Sequence, residues 1–97
     1  MTTIHFQASH DFKEEIERLT TLTSVEVVKA DSLDGTSDLI QILLVLNSLA
    51  IPVLAKIVIE SIRAKKHVSI KKDGIEITGI SEASVHKILE KILDGSI

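Results

Sequence analysis

The chain has 97 residues, of which 44% are hydrophobic and 26% charged, with a net charge of −3. That is one domain's length with enough apolar content for a core, which argues against global disorder. It has no cysteine, no tryptophan and no tyrosine, and Phe6 and Phe12 are its only aromatics; disulfide scaffolds, thiolate nucleophiles and zinc fingers are excluded, and base-stacking or cation-caging sites are disfavoured.

The opening MTTIHFQASH lacks the basic and apolar regions of a secretory leader, and a cytoplasmic setting is expected. Residues 3–8 alternate polar and apolar, which predicts a half-buried strand. Ser9 or Asp11 can cap the helix that follows, where Phe12, Ile16 and Leu19 share one face and Lys13–Glu17 and Glu14–Arg18 are i,i+4 pairs on the other. Residues 24–29 predict a second strand. Residues 31–38 read as a polar turn with N-capping residues at its end.

From Leu39 to Ile62 the chain is dominated by Leu, Ile, Val and Ala. Read as one helix, it places Gln41, Ser48, Lys56, Glu60, Arg63 and Lys66 in an arc of roughly 120°, with Pro52 in the same arc and expected to kink it. Such a helix has a narrow wet stripe and more apolar circumference than one sheet covers. The surplus predicts burial against a twin subunit or another protein, in addition to packing on the chain's own sheet. A membrane span is the third reading, since Leu39–Ile59 has the required length of about 20 residues. Gln41, Asn47, Pro52 and Lys56 oppose it, as does the absence of flanking Trp or Tyr.

Residues 67–72 and 75–79 alternate around Asp73-Gly74, a strong hairpin signal that pairs Ile70 with Ile77 and Lys71 with Glu76. Ser81 then caps a last helix with the stripe Val85, Ile88, Leu89, Ile92, Leu93, and Gly95 stops it. The predicted fold is a two-layer α+β sandwich over residues 1–97. Its order is β-α-β-α(long, Pro-kinked)-β-β-α, with helices on one face of a four-stranded mixed sheet.

No constellation demands an active site. His5, His10, His67 and His86 lack metal-ligand spacing, and Asp31, Asp34 and Asp38 lack the alternation of a calcium loop. Gly35-Thr36-Ser37 has no Walker context, no serine sits in a nucleophile elbow, and Glu14, Glu15 and Glu17 form a solvated helical face. Residues 1–62 hold four Lys/Arg against nine Asp/Glu, and residues 63–97 hold seven against five. Arg63, Lys65, Lys66, Lys71 and Lys72 cluster in that basic third; they suit a helix C-terminus first and an acidic surface second, and nucleic acid is not favoured.

Residues 57–93 place Ile62-Arg63-Ala64-Lys65-Lys66 before a hairpin with an Asp73-Gly74 turn and a capped helix ending in Ile88-Leu89 and Ile92-Leu93. In this the chain resembles the C-terminal half of the bacterial effector-associated constant component proteins. The resemblance implies a non-enzymatic accessory component encoded beside effectors of bacterial conflict systems, and it carries over no catalytic or ligand residues. The expected function is therefore a cytoplasmic protein-interaction adaptor without enzyme activity, cofactor or metal, forming a homo-oligomer or docking a partner. Its expected contact residues are Leu43, Leu46, Leu49, Val53, Ile57, Arg63, Lys65, Lys66, Lys71 and Lys72. A phage- or mobile-element-encoded inhibitor and a small single-span membrane protein are the alternatives.

Overall fold

Alternation makes the first strand. β1 (Thr2–Ser9) buries Ile4, Phe6 and Ala8 on one face and turns Thr3, His5 and Gln7 to the other. The structure is a computed structural model that describes residues 2–31 and 39–96. The predicted turn at 31–38 therefore lies, apart from the backbone of Asp31, outside the described residues. Of the two candidate caps after β1, Ser9 is used: its hydroxyl accepts from the Asp11 amide at 3.2 Å and starts a single 3-10 turn. α1 (Lys13–Leu22) follows and buries Ile16 and Leu19 beside Phe12, as the spacing requires.

β2 (Val25–Asp31) is followed by the largest departure from expectation. Leu39–Leu46 is not the first half of a kinked helix but a strand, β3, with Ile40, Ile42, Leu44 and Leu46 buried and Leu39, Gln41, Leu43 and Val45 half-buried. The outer face of β3 carries the apolar side chains Leu39, Leu43 and Val45 beside Gln41. That erases the alternation which would have marked it, and a short apolar run does not distinguish strand from helix by period alone. α2 then occupies Ala50–Ala64 without interruption. Asn47 separates the two elements: its Oδ1 accepts from the Ala50 amide at 2.8 Å, and its Nδ2 donates to the Leu22 carbonyl at 3.1 Å, tying the start of α2 to the end of α1. Pro52 is the third residue of α2, in the first turn, where its missing N–H has no intrahelical acceptor to lose. It marks a helix start and kinks nothing. The single-span alternative falls with the long helix; among the described residues no helix is long and apolar enough to cross a membrane.

β4 (Val68–Lys72) and β5 (Ile75–Glu76) form the predicted hairpin, with Lys71 opposite Glu76 and the Ile77 amide donating to the Ile70 carbonyl at 2.8 Å. Asp73 (φ 54°) and Gly74 (φ 79°) are both left-handed, the pair of conformations a two-residue type I′ loop needs. α3 (Val85–Asp94) begins one turn later than expected, after a Ser81–Ser84 turn in which the Ser81 carbonyl accepts from the Ser84 and Val85 amides. Gly95 ends it at φ 79°.

The sheet runs β2-β3-β1-β4-β5 and every described pairing is antiparallel, so the expected four-stranded mixed sheet is corrected to five antiparallel strands. β1 and β2 point the same way around α1, but β3 sits between them. This split β-α-β, completed by α2 and β4, is the β-α-β-β-α-β arrangement called ferredoxin-like, here with β5 and α3 appended. Residues of α1, α2 and α3 share one core with Ile4, Phe6, Ala8, Ile42, Leu44 and Ile70 of the sheet, so the three helices cover one face. Among the described residues no helix packs on the other face, the open face of the sheet.

Candidate functional site: the open face of the sheet

Strand register builds this face. Glu26 pairs with Leu43, Leu43 with His5, His5 with Lys71, and Lys71 with Glu76. One residue from each of the five strands thus forms a single row across the uncovered surface, acidic at both ends, with Leu43, His5 and Lys71 between. Thr3, Gln7, Gln41, Val45 and Ser69 extend the face on either side of the row, since residues two apart share a face.

The chemistry of the row is mixed. His5 is flanked by the Leu43 and Lys71 positions, and its Nδ1 is buried with no hydrogen-bond partner. Ser69 Oγ donates to Glu76 Oε1 at 3.3 Å, and His67 Nε2 lies 3.2 Å from Gln7 Oε1. Two shallow concavities of about 390 and 270 Å³ lie on the face and share Thr3 and Leu43. Among the described residues no three His, Asp or Glu side chains converge to hold a metal ion. What the face offers is a broad, gently contoured surface with an apolar streak along β3 and charges at defined positions.

The edges of the sheet offer less. Val27 and Val28 on β2 are 58% and 49% exposed, but the ladder is irregular between Val27 and Lys29. A bulge there interrupts the regular row of amides and carbonyls that an added strand would need. β5, at the other edge, is only two residues long.

The ten residues expected to make contacts are dispersed by the fold. Leu43 and Lys71 lie on the open face. Leu46 and Ile57 are core residues, 2% and 0% exposed, so their assignment as contact residues is corrected: Leu46 falls on the buried side of β3 and Ile57 on the buried side of α2. Leu49 is exposed in the turn before α2, and Val53 is half-buried on it. The basic cluster divides by task. Arg63 Nε bonds Glu82 Oε1 at 2.6 Å, joining α2 to the approach to α3. Lys66 Nζ meets Asp11 Oδ2 at 2.6 Å, joining the end of α2 to the entry of α1. Lys65 closes α2 in the left-handed conformation, and Lys72 sits at the end of β4. Two of the five cations therefore serve the chain's own helix ends.

The Lys66 ammonium holds the Asp11 carboxyl below its ordinary value, first through their hydrogen bond and then through charge attraction. A depressed carboxylate stabilises the fold above its unfolded-state pKa and loses that contribution as pH falls through the folded value. The expected result for Asp11→Asn is a small loss of thermal midpoint at pH 7 that vanishes in strong acid. A gap that persists at pH 2 would refute the ion-pair origin.

Thr3, His5, Gln7, Glu26, Gln41, Val45, Ser69 and Glu76 were not expected as site residues. Alternation in β1 and β4 indicates that each has a polar face, and β3 shows none; only the pairing register shows which residues line up, and register is a long-range property. No family model, no curated protein and no solved structure matches the chain.

Proposed function

We propose that the protein is a non-enzymatic protein-binding module whose contact surface is the open sheet face. The observation that carries this reading is the position of Leu43 and Val45. They lie on a central strand, on the face no helix covers, inside a frame of polar and charged side chains. An apolar streak with a polar rim on a broad surface suits a protein partner, whereas small-molecule sites are deep and enclosed. The resemblance of residues 57–93 to the effector-associated components agrees with an accessory role, and an inhibitor that acts by surface binding would use the same face. This replaces α2 as the expected contact element.

Leu43→Asp tests the reading. Leu43 is half-buried on the open face and outside the core, so circular dichroism should remain native, whereas a charge at the centre of the contact is expected to weaken partner capture about 30-fold, the scale of a hot-spot loss. Tagged native and L43D chains would be compared by affinity capture from the native host, with mass spectrometry of what is retained. Equal recovery of the same partners by both would sink the reading.

A further inference from the structure

We propose that the occupant of the open face is a second copy of this chain, packed sheet to sheet about a two-fold axis that runs along the strands between β3 and β1. The inference rests on the open face being a protein-binding surface and adds which protein binds it.

The row of register supplies the reason. Sheets that pack face to face keep their strands within about 30° of one another, so a two-fold axis along the strands is an allowed geometry. Placed between β3 and β1, that axis lays β2 of one copy over β4 of the other and β3 over β1. Because Glu26, Leu43, His5 and Lys71 occupy one row, the rotation brings Glu26 over Lys71 of the partner subunit and Leu43 over His5 of the partner subunit. Symmetry repeats both contacts, so two opposite-charge pairs flank an apolar and imidazole centre. Glu76, on β5, projects past the partner's sheet and stays beside its own Lys71. A two-fold axis along the row instead of the strands would stack Glu26 on Glu26 and Lys71 on Lys71, so the charge pattern selects one of the two.

The area agrees with a weak but specific pair. At about 3.3 Å per residue and 4.8 Å per strand, the four strands that overlap, β2, β3, β1 and β4, present roughly 400–450 Å² per copy, or roughly 800–900 Å² for two. That is the size of weak, transient pairs, which bury less than about 1,200 Å² in total, and affinity there depends on complementarity rather than extent, so a micromolar, salt-sensitive dimer is the expected species.

Sedimentation velocity of the full chain over roughly 10–500 µM, in about 50 mM and about 500 mM salt, would read the equilibrium, since screening shortens charge interactions several-fold between those salts. The native chain is expected to dimerise more tightly in low salt. Glu26→Lys and Lys71→Glu each replace attraction by repulsion at both contacts, and each alone is expected to dimerise at least tenfold more weakly. Mixed one to one, the two variants restore opposite charge at both contacts and are expected to form a heterodimer of near-native affinity. Native circular dichroism of each variant separates this from misfolding, because complementation needs two folded chains. A native chain that stays monomeric overturns the proposal. So does a dimer indifferent to both substitutions, or a mixture that stays dissociated. A monomer whose capture of a host protein is still sensitive to Leu43→Asp would overturn self-pairing alone and leave the binding face standing.

Discussion

Ile57→Ala is expected to cost about 2–5 kcal/mol of folding stability in chemical denaturation, while Leu49→Ala stays within about 0.5 kcal/mol of the native chain. Both residues belong to the apolar stretch that, taken as one helix, has more greasy circumference than a sheet can cover. The fold resolves that excess internally. α2 is the middle member of the helix layer, with β1 and β4 beneath it, α1 on one side and α3 on the other. A helix enclosed on three sides needs an apolar arc well beyond half its circumference; Ala50, Ile51, Leu54, Ala55, Ile57 and Val58 span about 160°, and the half-buried Val53 and Ile59 widen the arc to about 240°. Ile57 is 0% exposed within that enclosure, so truncation removes buried methyl groups and leaves a cavity the neighbours fill only in part. Leu49 is 64% exposed in the preceding turn and leaves nothing behind. Equal costs for the two variants would mean that α2 is not enclosed, and a contact role for Ile57 would return.

The elements legible in the sequence are those whose signals are local. The alternation of residues 3–8, the i,i+4 stripe of Phe12 and Ile16, the Asp73-Gly74 loop and the Gly95 stop all appear where expected. Residues 39–62 misled because both faces of β3 carry apolar side chains, Leu39, Leu43 and Val45 on the face turned away from the helices, so the strand shows no period of two. A local signal was nevertheless present. Asn47-Ser48 is a capping pair five residues before Pro52, and proline is at home in a first helical turn, so together they indicate a helix starting near residue 50. The candidate site was legible at Leu43 and Lys71 alone. The row that joins them exists only through two strand pairings, β3 with β1 and β1 with β4, and in the second His5 and Lys71 are 66 positions apart.

Phe6→Ala is expected to be the most damaging single truncation, at about 3–5 kcal/mol. Phe6 is 0% exposed, the largest of the fully buried side chains, and sits at the middle of β1. β1 is paired on both sides, and the residues opposite Phe6 are Ile42 on β3 and Ile70 on β4, each also 0% exposed. Three side chains in a row across the central strands thus meet the helix layer, and removing the ring empties the middle position while the backbone ladders on both sides hold the walls apart. A domain of this size has about 5–15 kcal/mol in all, so the variant should lose roughly 15–30 °C of thermal midpoint, measured by calorimetry or circular dichroism. Phe12→Ala is the internal comparison; Phe12 is 8% exposed at the periphery of the core, where the site can partly close, and a smaller loss is expected. Alternation couples this result to the open face, because Phe6 can point into the core only if His5 and Gln7 point out of it. A loss below about 1.5 kcal/mol would show that β1 is not seated in this register, and the row from Glu26 to Glu76 would dissolve with it.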